Sequence, residues 1–146
     1  YGNWDKLTRN IDRLAPHAAR MGANFVLQMY NVFGAGQYAL WLDTMYEKYP
    51  NWNQRTFAIP LEWPSAFDIG HLTTKHRKEL VEELNTIEQK VRNPNTLKFI
   101  SQCKTWIINR DMPSNVPQSF QQLTEAMDKQ RSTKLTELDS RFKEYL

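Results

Sequence analysis

The sequence has very little cysteine and histidine, and this scarcity limits the chemistry it can perform alone. Its 146 residues include one cysteine, Cys103, and three histidines. No disulfide can therefore form within the chain, and a four-ligand metal site has too few candidate ligands. His71 and His76 are five residues apart, a spacing that does not align side chains on a helix, and we interpret both as solvent-facing imidazoles. We predict neither a metal site nor a catalytic residue.

Long apolar runs are also absent. No stretch approaches the roughly 20 residues that a membrane span needs, and no signal peptide is visible. Together with the lone cysteine, this predicts a cytoplasmic protein with no membrane partner. The chain begins at Tyr1 without a methionine, and Trp4 already belongs to a helical pattern. We interpret this start as an element boundary, as in a fragment or a processed chain.

A concentrated positive charge is missing as well. The formal net charge is +3, and lysines and arginines alternate with carboxylates, as in Arg77-Lys78-Glu79. A protein that binds nucleic acid more often clusters its positive charge on one face. The charge pattern therefore disfavours a nucleic-acid partner.

The residues that are present predict a mixed α/β chain. Hydrophobic periodicity predicts helices and strands in alternation: a helix over 4–14, a strand over 23–31, a helix ending near Pro50 and a strand over 56–61. Pro60 lacks a backbone donor, so the second strand should end or bulge there. The unbroken apolar run Phe25-Val26-Leu27 suggests burial on both faces, as in a parallel sheet. Because a sheet of only two strands is marginally stable, this part of the chain is predicted to be a segment of a larger α/β sheet or barrel.

The C-terminal half of the sequence is predicted to be helical. An apolar stripe indicates a helix between Lys75 and Arg92, and Asn93-Pro94 is a strong helix start, with an N-cap followed by proline. After a loop over 111–117, a last helix begins near Pro117. We therefore divide the chain into an α/β segment over 1–72 and a helical C-terminal extension over 73–146 that packs on it.

Three local features of the sequence are candidate functional sites. Gly34-Ala35-Gly36 lies between a strand and a helix but lacks the third glycine or lysine of a phosphate loop, which favours ordinary turn residues. Cys103, among apolar residues of a helix, is expected to be an inert buried thiol. The stretch 59–68 leaves a strand with two prolines, two aromatic residues and two carboxylates, and Asn31 occupies the matching place after the first strand.

Ligands of parallel sheets bind beyond the carboxyl ends of the strands, so these two loops are predicted to meet on one face. Two interpretations stay open for this region. Asn31, Pro60 and Leu61 either contact a ligand or have only structural roles. For Trp63 and Phe67 we favour a hydrophobic lid over a ligand contact.

Four stretches together resemble the C-terminal region of twitch-domain-containing radical SAM proteins, a group frequent in marine bacteria and their phages. In chain order they span nearly the whole sequence. They are Asn3-Trp4-Asp5-Lys6 with Asn10-Ile11, Tyr30-Asn31-Val32 to Leu42, Ile59-Pro60-Leu61-Glu62-Trp63-Pro64 with His71-Leu72, and Met127-Asp128-Lys129-Gln130-Arg131. The second and third resemble the fifth and sixth barrel strands, and the last resembles a closing Leu-Asp-x-x-Arg segment.

The resemblance implies a partial parallel (β/α) barrel segment with two strands, followed by the helical extension. It implies that Asn31 lies near the ribose or methionine part of S-adenosylmethionine, that Pro60 and Leu61 lie near the adenine, and that Gln28 is a further candidate. S-adenosylmethionine and a [4Fe–4S] cluster are implied for the parent protein only. The cluster needs several thiolates, and the Cys-x3-Cys-x2-Cys loop is absent here. No cofactor is expected to bind this chain alone.

The resemblance predicts that the chain forms one wall of an S-adenosylmethionine and substrate pocket in a radical-SAM-like oxidoreductase. The chain alone is expected to be inactive, and its partner would be the missing N-terminal barrel portion. The alternative is a self-contained, helix-rich interaction domain without enzymatic activity. An incomplete barrel exposes sheet edges and apolar surface, and both favour pairing with a second copy. A homodimer would then complete the burial.

Overall fold

The computed structural model describes residues 3–111, 117–131 and 134–146. It is mostly helical and contains one parallel pair of strands, so the prediction of a mixed α/β chain with two parallel strands is confirmed. The elements, in order, are α1 Trp4–Leu14, β1 Phe25–Leu27, α2 Ala35–Lys48, β2 Ala58–Pro60, α3 Thr74–Glu88, α4 Pro94–Asn109, α5 Pro117–Arg131 and α6 Leu135–Leu138. Short 3-10 helices lie at Ala15–His17, Val32–Gly34, Ser65–Phe67, Ile69–His71 and Ser140–Glu144.

Side-chain caps determine where three of the helices begin. The first backbone N–H groups of a helix have no partner within it, and a preceding Asn or Thr can accept from one of them. The side chains of Asn3, Thr73 and Asn93 each do this, at 3.0, 3.2 and 2.9 Å. The prediction that Asn93-Pro94 begins a helix is confirmed.

The two strands are shorter than the sequence suggested. β1 and β2 pair in register, Phe25 with Ala58 and Leu27 with Pro60, and each has only three residues. Pro60 has no backbone N–H, and β2 ends there as predicted. Beyond β1 the chain turns into the 3-10 helix Val32–Gly34, so the apolar residues after Leu27 are not in a strand.

The sheet is covered on one face only. Phe25 contacts the rings of Tyr38 on α2 and Phe99 on α4, at 4.7 and 5.8 Å between ring centroids. On the opposite face, Val26 and Ile59 are register partners and are 42% and 47% exposed. The prediction that the apolar run of β1 is buried on both faces is therefore wrong. A continuous run does not distinguish a doubly covered strand from one whose second face stays open.

A single hydrophobic cluster joins the two predicted halves of the chain. It contains residues from before and after position 72, among them Leu27, Leu42, Leu84, Ile100 and Phe142. Two features bring the helices together. Gly36 on α2 leaves no room for a side chain, because a Cβ there would collide with Ile87 and Glu83 of α3. Asp43 on α2 is buried and accepts the backbone N–H groups of Arg92 and Asn93, just before α4.

Candidate functional site

The carboxyl ends of β1 and β2 lie side by side. The Leu61 N–H donates to the Leu27 carbonyl at 2.9 Å, and the Met29 N–H donates to the Phe67 carbonyl at 2.8 Å. The loops that follow the two strands are thus joined by backbone hydrogen bonds. The structure brings together the four residues implied as cofactor contacts, Gln28, Asn31, Pro60 and Leu61, at one end of the sheet. Their role toward a cofactor stays a prediction.

Asn31 already has hydrogen-bond partners at the outer edge of β1. Its side-chain amide donates to the Val26 carbonyl at 2.8 Å, and its carbonyl oxygen accepts the Gln28 N–H at 3.0 Å. These two backbone groups point away from β2, so the amide of Asn31 takes the place of a neighbouring strand. An asparagine amide has two donors and two lone pairs, which leaves one N–H and one lone pair for another partner.

The outer edge of β2 is satisfied in a similar way. The Ala58 N–H donates to the side-chain oxygen of Gln102 on α4 at 3.1 Å. Unpaired strand edges favour pairing with other chains. At Val26, Gln28 and Ala58 the edge groups have partners within the chain, so strand addition there would have to displace a side chain.

The face opposite the helices remains open and apolar. Val26, Ile59 and Phe57 are all among the exposed large hydrophobic residues. Strand alternation assigns Gln28 and Leu61, each one residue beyond its strand, to this same face. The open sheet face, defined here as Val26, Phe57 and Ile59, therefore ends at two of the four candidate residues.

A second candidate site is a cleft beside the outer edge of β1, with a volume of about 850 Å³. We name it the aromatic cleft. Trp4, Tyr38 and Trp41 form one wall, and Phe33 and Phe142 lie on the other. Gly34 and Gln37 line it between them, and Asn31 also borders it.

Charged side chains gather at the C-terminal side of the aromatic cleft. The Arg141 guanidinium lies 4.2 Å from the centre of the Phe33 ring and binds Asp139 at 2.6 to 3.1 Å. It also contacts Glu83 at 3.4 Å and the Phe33 carbonyl at 3.4 Å. Its hydrogen bonds to Asp139 raise the pKa of Arg141, and those same bonds lower the pKa of Asp139.

A buried polar cluster holds the loop after β2 against the end of α4. Asp68 is 3% exposed and accepts the Gly70 N–H at 2.8 Å and two nitrogens of Arg110 at 2.6 to 3.1 Å. Arg77 donates to the backbone carbonyls of Leu72, Gly70 and Ile107. No pattern in the sequence was interpreted as this cluster. The signal that could have found Asp68 is an aspartate two residues before a glycine, typical of a side-chain-stabilised turn.

Both histidines that we interpreted as solvent-facing are buried, so that prediction is wrong. Nε2 of His71 lies 2.9 Å from the Ser65 carbonyl, within the loop after β2. Nδ1 of His76 lies 2.6 Å from the Tyr145 hydroxyl, which accepts the Thr73 N–H at 3.1 Å. Because that oxygen already accepts one hydrogen bond, its O–H is free to donate to His76. The aromatic C-terminal segment covers His76, and nothing in the local sequence around the histidine signals this.

Cys103 is buried in the core, as predicted, and burial raises the pKa of its thiol to about 12. A thiol with so high a pKa is a poor nucleophile at neutral pH. Across the described residues, no group of three or more His, Cys, Asp or Glu side chains is placed to hold a metal ion. In the same part of the chain, no helix combines the length and apolar character needed to cross a membrane.

Comparisons with protein-family models, with curated proteins and with solved structures find no significant match to this chain.

The double hydrogen bond of Asn31 to the edge of β1 gives a first prediction. Asn31→Ala should lower the free energy of unfolding by roughly 1–2 kcal/mol, because it leaves the Val26 carbonyl and the Gln28 N–H without their partner. Urea unfolding of the two proteins measures the difference. The matched control is Gln28→Ala in the same loop, with an expected change below about 0.5 kcal/mol. Equal effects of the two variants would contradict the edge role of Asn31.

The ion pair between Asp68 and Arg110 gives a pH-dependent prediction. Burial acts to raise the pKa of Asp68, but the Arg110 and Gly70 hydrogen bonds outweigh it and hold that pKa below its usual value of 3.8. A carboxyl group whose pKa is lower in the folded than in the unfolded state stabilises the fold at pH values above its unfolded-state pKa. That stabilisation is lost as the pH falls through the folded-state pKa. Asp68→Asn should therefore destabilise the chain by roughly 2 kcal/mol at pH 7, and the difference should shrink below about pH 4.

Chemical denaturation between about pH 7 and pH 2.5 tests this dependence. Asp5→Asn, at an exposed position of α1, is the control and should follow the wild-type profile. A difference between Asp68→Asn and wild type that stays constant over the whole range would rule out the ion pair as its source.

Proposed function

We propose that the chain is one wall of a larger α/β protein of the radical SAM type, lining an S-adenosylmethionine and substrate pocket without catalysing a reaction itself. The observation that supports this best is the open sheet face, which is apolar and lies opposite the helices. In a (β/α) barrel the helices cover the outside of the sheet, and the opposite face points into the barrel. The open sheet face would then belong to the barrel interior.

The candidate residues fit the same proposal by their position. Gln28 and Leu61 follow directly after the two strands, where ligands of parallel sheets bind. Asn31 would contribute its remaining N–H and lone pair. For β1 to pair with a preceding barrel strand, the Asn31 amide would have to leave the edge that it now occupies.

The residues of this chain do not fit an iron–sulfur cluster, because the sequence has one cysteine and its thiol is buried. The cluster and most of the S-adenosylmethionine contacts would come from the missing N-terminal barrel portion. We also assign the chain to the cytoplasm, for which the lone unpaired cysteine is the support.

The encoding DNA upstream of Tyr1 provides the first test. We expect an open reading frame with a Cys-x3-Cys-x2-Cys loop. Calorimetry should then show no stoichiometric binding of S-adenosylmethionine to the isolated chain, and binding once the upstream portion is co-expressed. In that complex Leu61→Asp should weaken binding about tenfold or more, because it places a charge beside the adenine. The control Ile108→Asp, at an exposed position of α4 outside the aromatic cleft, should not.

Two outcomes would overturn this proposal. Stoichiometric binding of S-adenosylmethionine to the isolated chain at micromolar affinity would show that no missing wall is needed. A start codon directly before Tyr1 would remove the parent protein and favour a self-contained interaction domain.

The interaction domain is the second candidate, and the same open sheet face favours it together with the exposed apolar residues Trp4, Leu7 and Leu14 of α1. Sedimentation equilibrium should then show a homodimer. Ile59→Lys should shift it toward monomer, whereas the control Ile108→Lys, at an exposed position of α4, should not. A monomer at high concentration would exclude an obligate dimer.

A further inference from the structure

We propose that the aromatic cleft binds a small, planar aromatic ligand that carries a positive charge. This inference does not rest on the proposed function, because the cleft lies beside the outer edge of β1 and none of the three residues of the open sheet face lines it. Its volume of about 850 Å³ lies in the range of small-molecule sites in proteins. Such sites combine apolar and aromatic walls with a few polar groups that fix the orientation of the ligand.

The walls favour a flat ligand. Trp4 is 51% exposed, and its ring meets the ring of Trp41 at 5.1 Å between centroids. Trp41 in turn lies 5.3 Å from Tyr38, so three aromatic rings from α1 and α2 form one continuous wall. A planar ligand would cover the exposed part of Trp4 and would be stabilised by stacking on that ring.

The charges favour a cation. Asp139 and Glu83 both line the cleft, and Arg141, the one cation among the described residues that line it, is bound to both. Asp139 holds the guanidinium closely on two oxygens, whereas the Glu83 contact is long, at 3.4 Å. The carboxylates therefore exceed the cations by one charge, and that excess lies at Glu83. An aromatic anion would be repelled by it.

The cleft already contains one example of this chemistry. The Arg141 guanidinium is a planar cation, and its central carbon lies 4.2 Å from the centre of the Phe33 ring. Attraction between a cation and an aromatic face is the reason that aromatic-lined sites bind organic cations. A bound ligand would repeat this arrangement against Trp4 and Trp41 on the opposite wall.

The experiment uses three probes with the same indole ring and different charge: tryptamine, neutral tryptophol and the anion indole-3-propionate. Each is titrated to about 10 mM against the nitrogen-15-labelled chain, followed by its indole N–H signals in NMR spectra. The sequence has five tryptophans, which act as internal reporters. Trp4 and Trp41 should shift and saturate. Trp63 is 77% exposed and lies outside the cleft, so it reports non-specific contact and should not move.

Tryptamine should bind about fivefold more tightly than tryptophol, as expected for one partly screened charge, and indole-3-propionate should bind more weakly than either. Glu83→Gln should make tryptamine and tryptophol bind equally, while leaving the shifts of Trp4 and Trp41 in place. Gly34→Leu should weaken all binding at least tenfold by filling the cleft. A Cβ at Gly34 meets no atom within 4 Å and its φ is −92°, so a side chain can begin there without strain, and we expect the variant to keep the fold.

Four results would overturn the proposal. The first is the absence of saturable shifts at Trp4 and Trp41. The second is a shift of Trp63 that equals theirs, which would mean non-specific contact with exposed rings. The third is saturable binding that Gly34→Leu leaves unchanged, which would place the ligand elsewhere. The fourth is equal affinity for the cationic and anionic probes, which would remove the role of Glu83.

Discussion

A parallel sheet of two three-residue strands leaves many of its backbone groups on its outer edges, and the rest of the chain has to satisfy them. Two side-chain amides do so. Asn31 binds the outer edge of β1 at two groups, and Gln102 binds β2 at one. This hydrogen bond ties α4 to the outer edge of β2. The turn after β1 follows from this arrangement, because Asn31 has to fold back on the strand.

The helices then determine which face of the sheet stays open. α2 is the crossover between the strands, and Gly36 allows α3 to approach it closely. Asp43 of the same helix binds the backbone before α4. The three helices are thereby packed against one another, with α2 and α4 on the sheet through Tyr38 and Phe99, and the opposite side keeps Val26 and Ile59 exposed. The open sheet face is thus a consequence of how α2 packs.

Features that depend on neighbouring residues were predictable from sequence, and features that depend on distant contacts were not. Asn93-Pro94 began a helix and Pro60 ended a strand, because capping and the missing proline donor act locally. The burial of His76 depends on Tyr145, which lies 69 residues away in sequence. The open face of Val26 likewise depends on where α2 and α4 pack, and periodicity in one strand contains no information about that.

The same limit applies to the candidate site. Sequence reasoning placed Asn31 at the end of the first strand, and the structure brings it close to Gln28 there. The number of hydrogen-bonding groups that Asn31 has left could not be predicted, because its bond to Val26 forms only once the turn closes. The aromatic cleft escaped prediction for a similar reason. Its walls combine Trp4, Trp41 and Phe142, which lie on three elements that are distant in sequence. The spacing of apolar residues along one element contains no information about its contacts with the other two.

The two proposed surfaces make opposite demands on Asn31. Completion of a barrel would place a strand along the outer edge of β1, where it would replace the Asn31 amide and approach the aromatic cleft. Binding of a small ligand in the cleft leaves that edge closed as it is now. Because two hydrogen bonds hold the amide, the closed edge is the arrangement favoured in the chain by itself. A barrel partner would first have to replace both hydrogen bonds of Asn31 with hydrogen bonds from its own strand. Whether the Asn31 amide is bound to β1 or displaced therefore distinguishes barrel completion from ligand binding in the cleft.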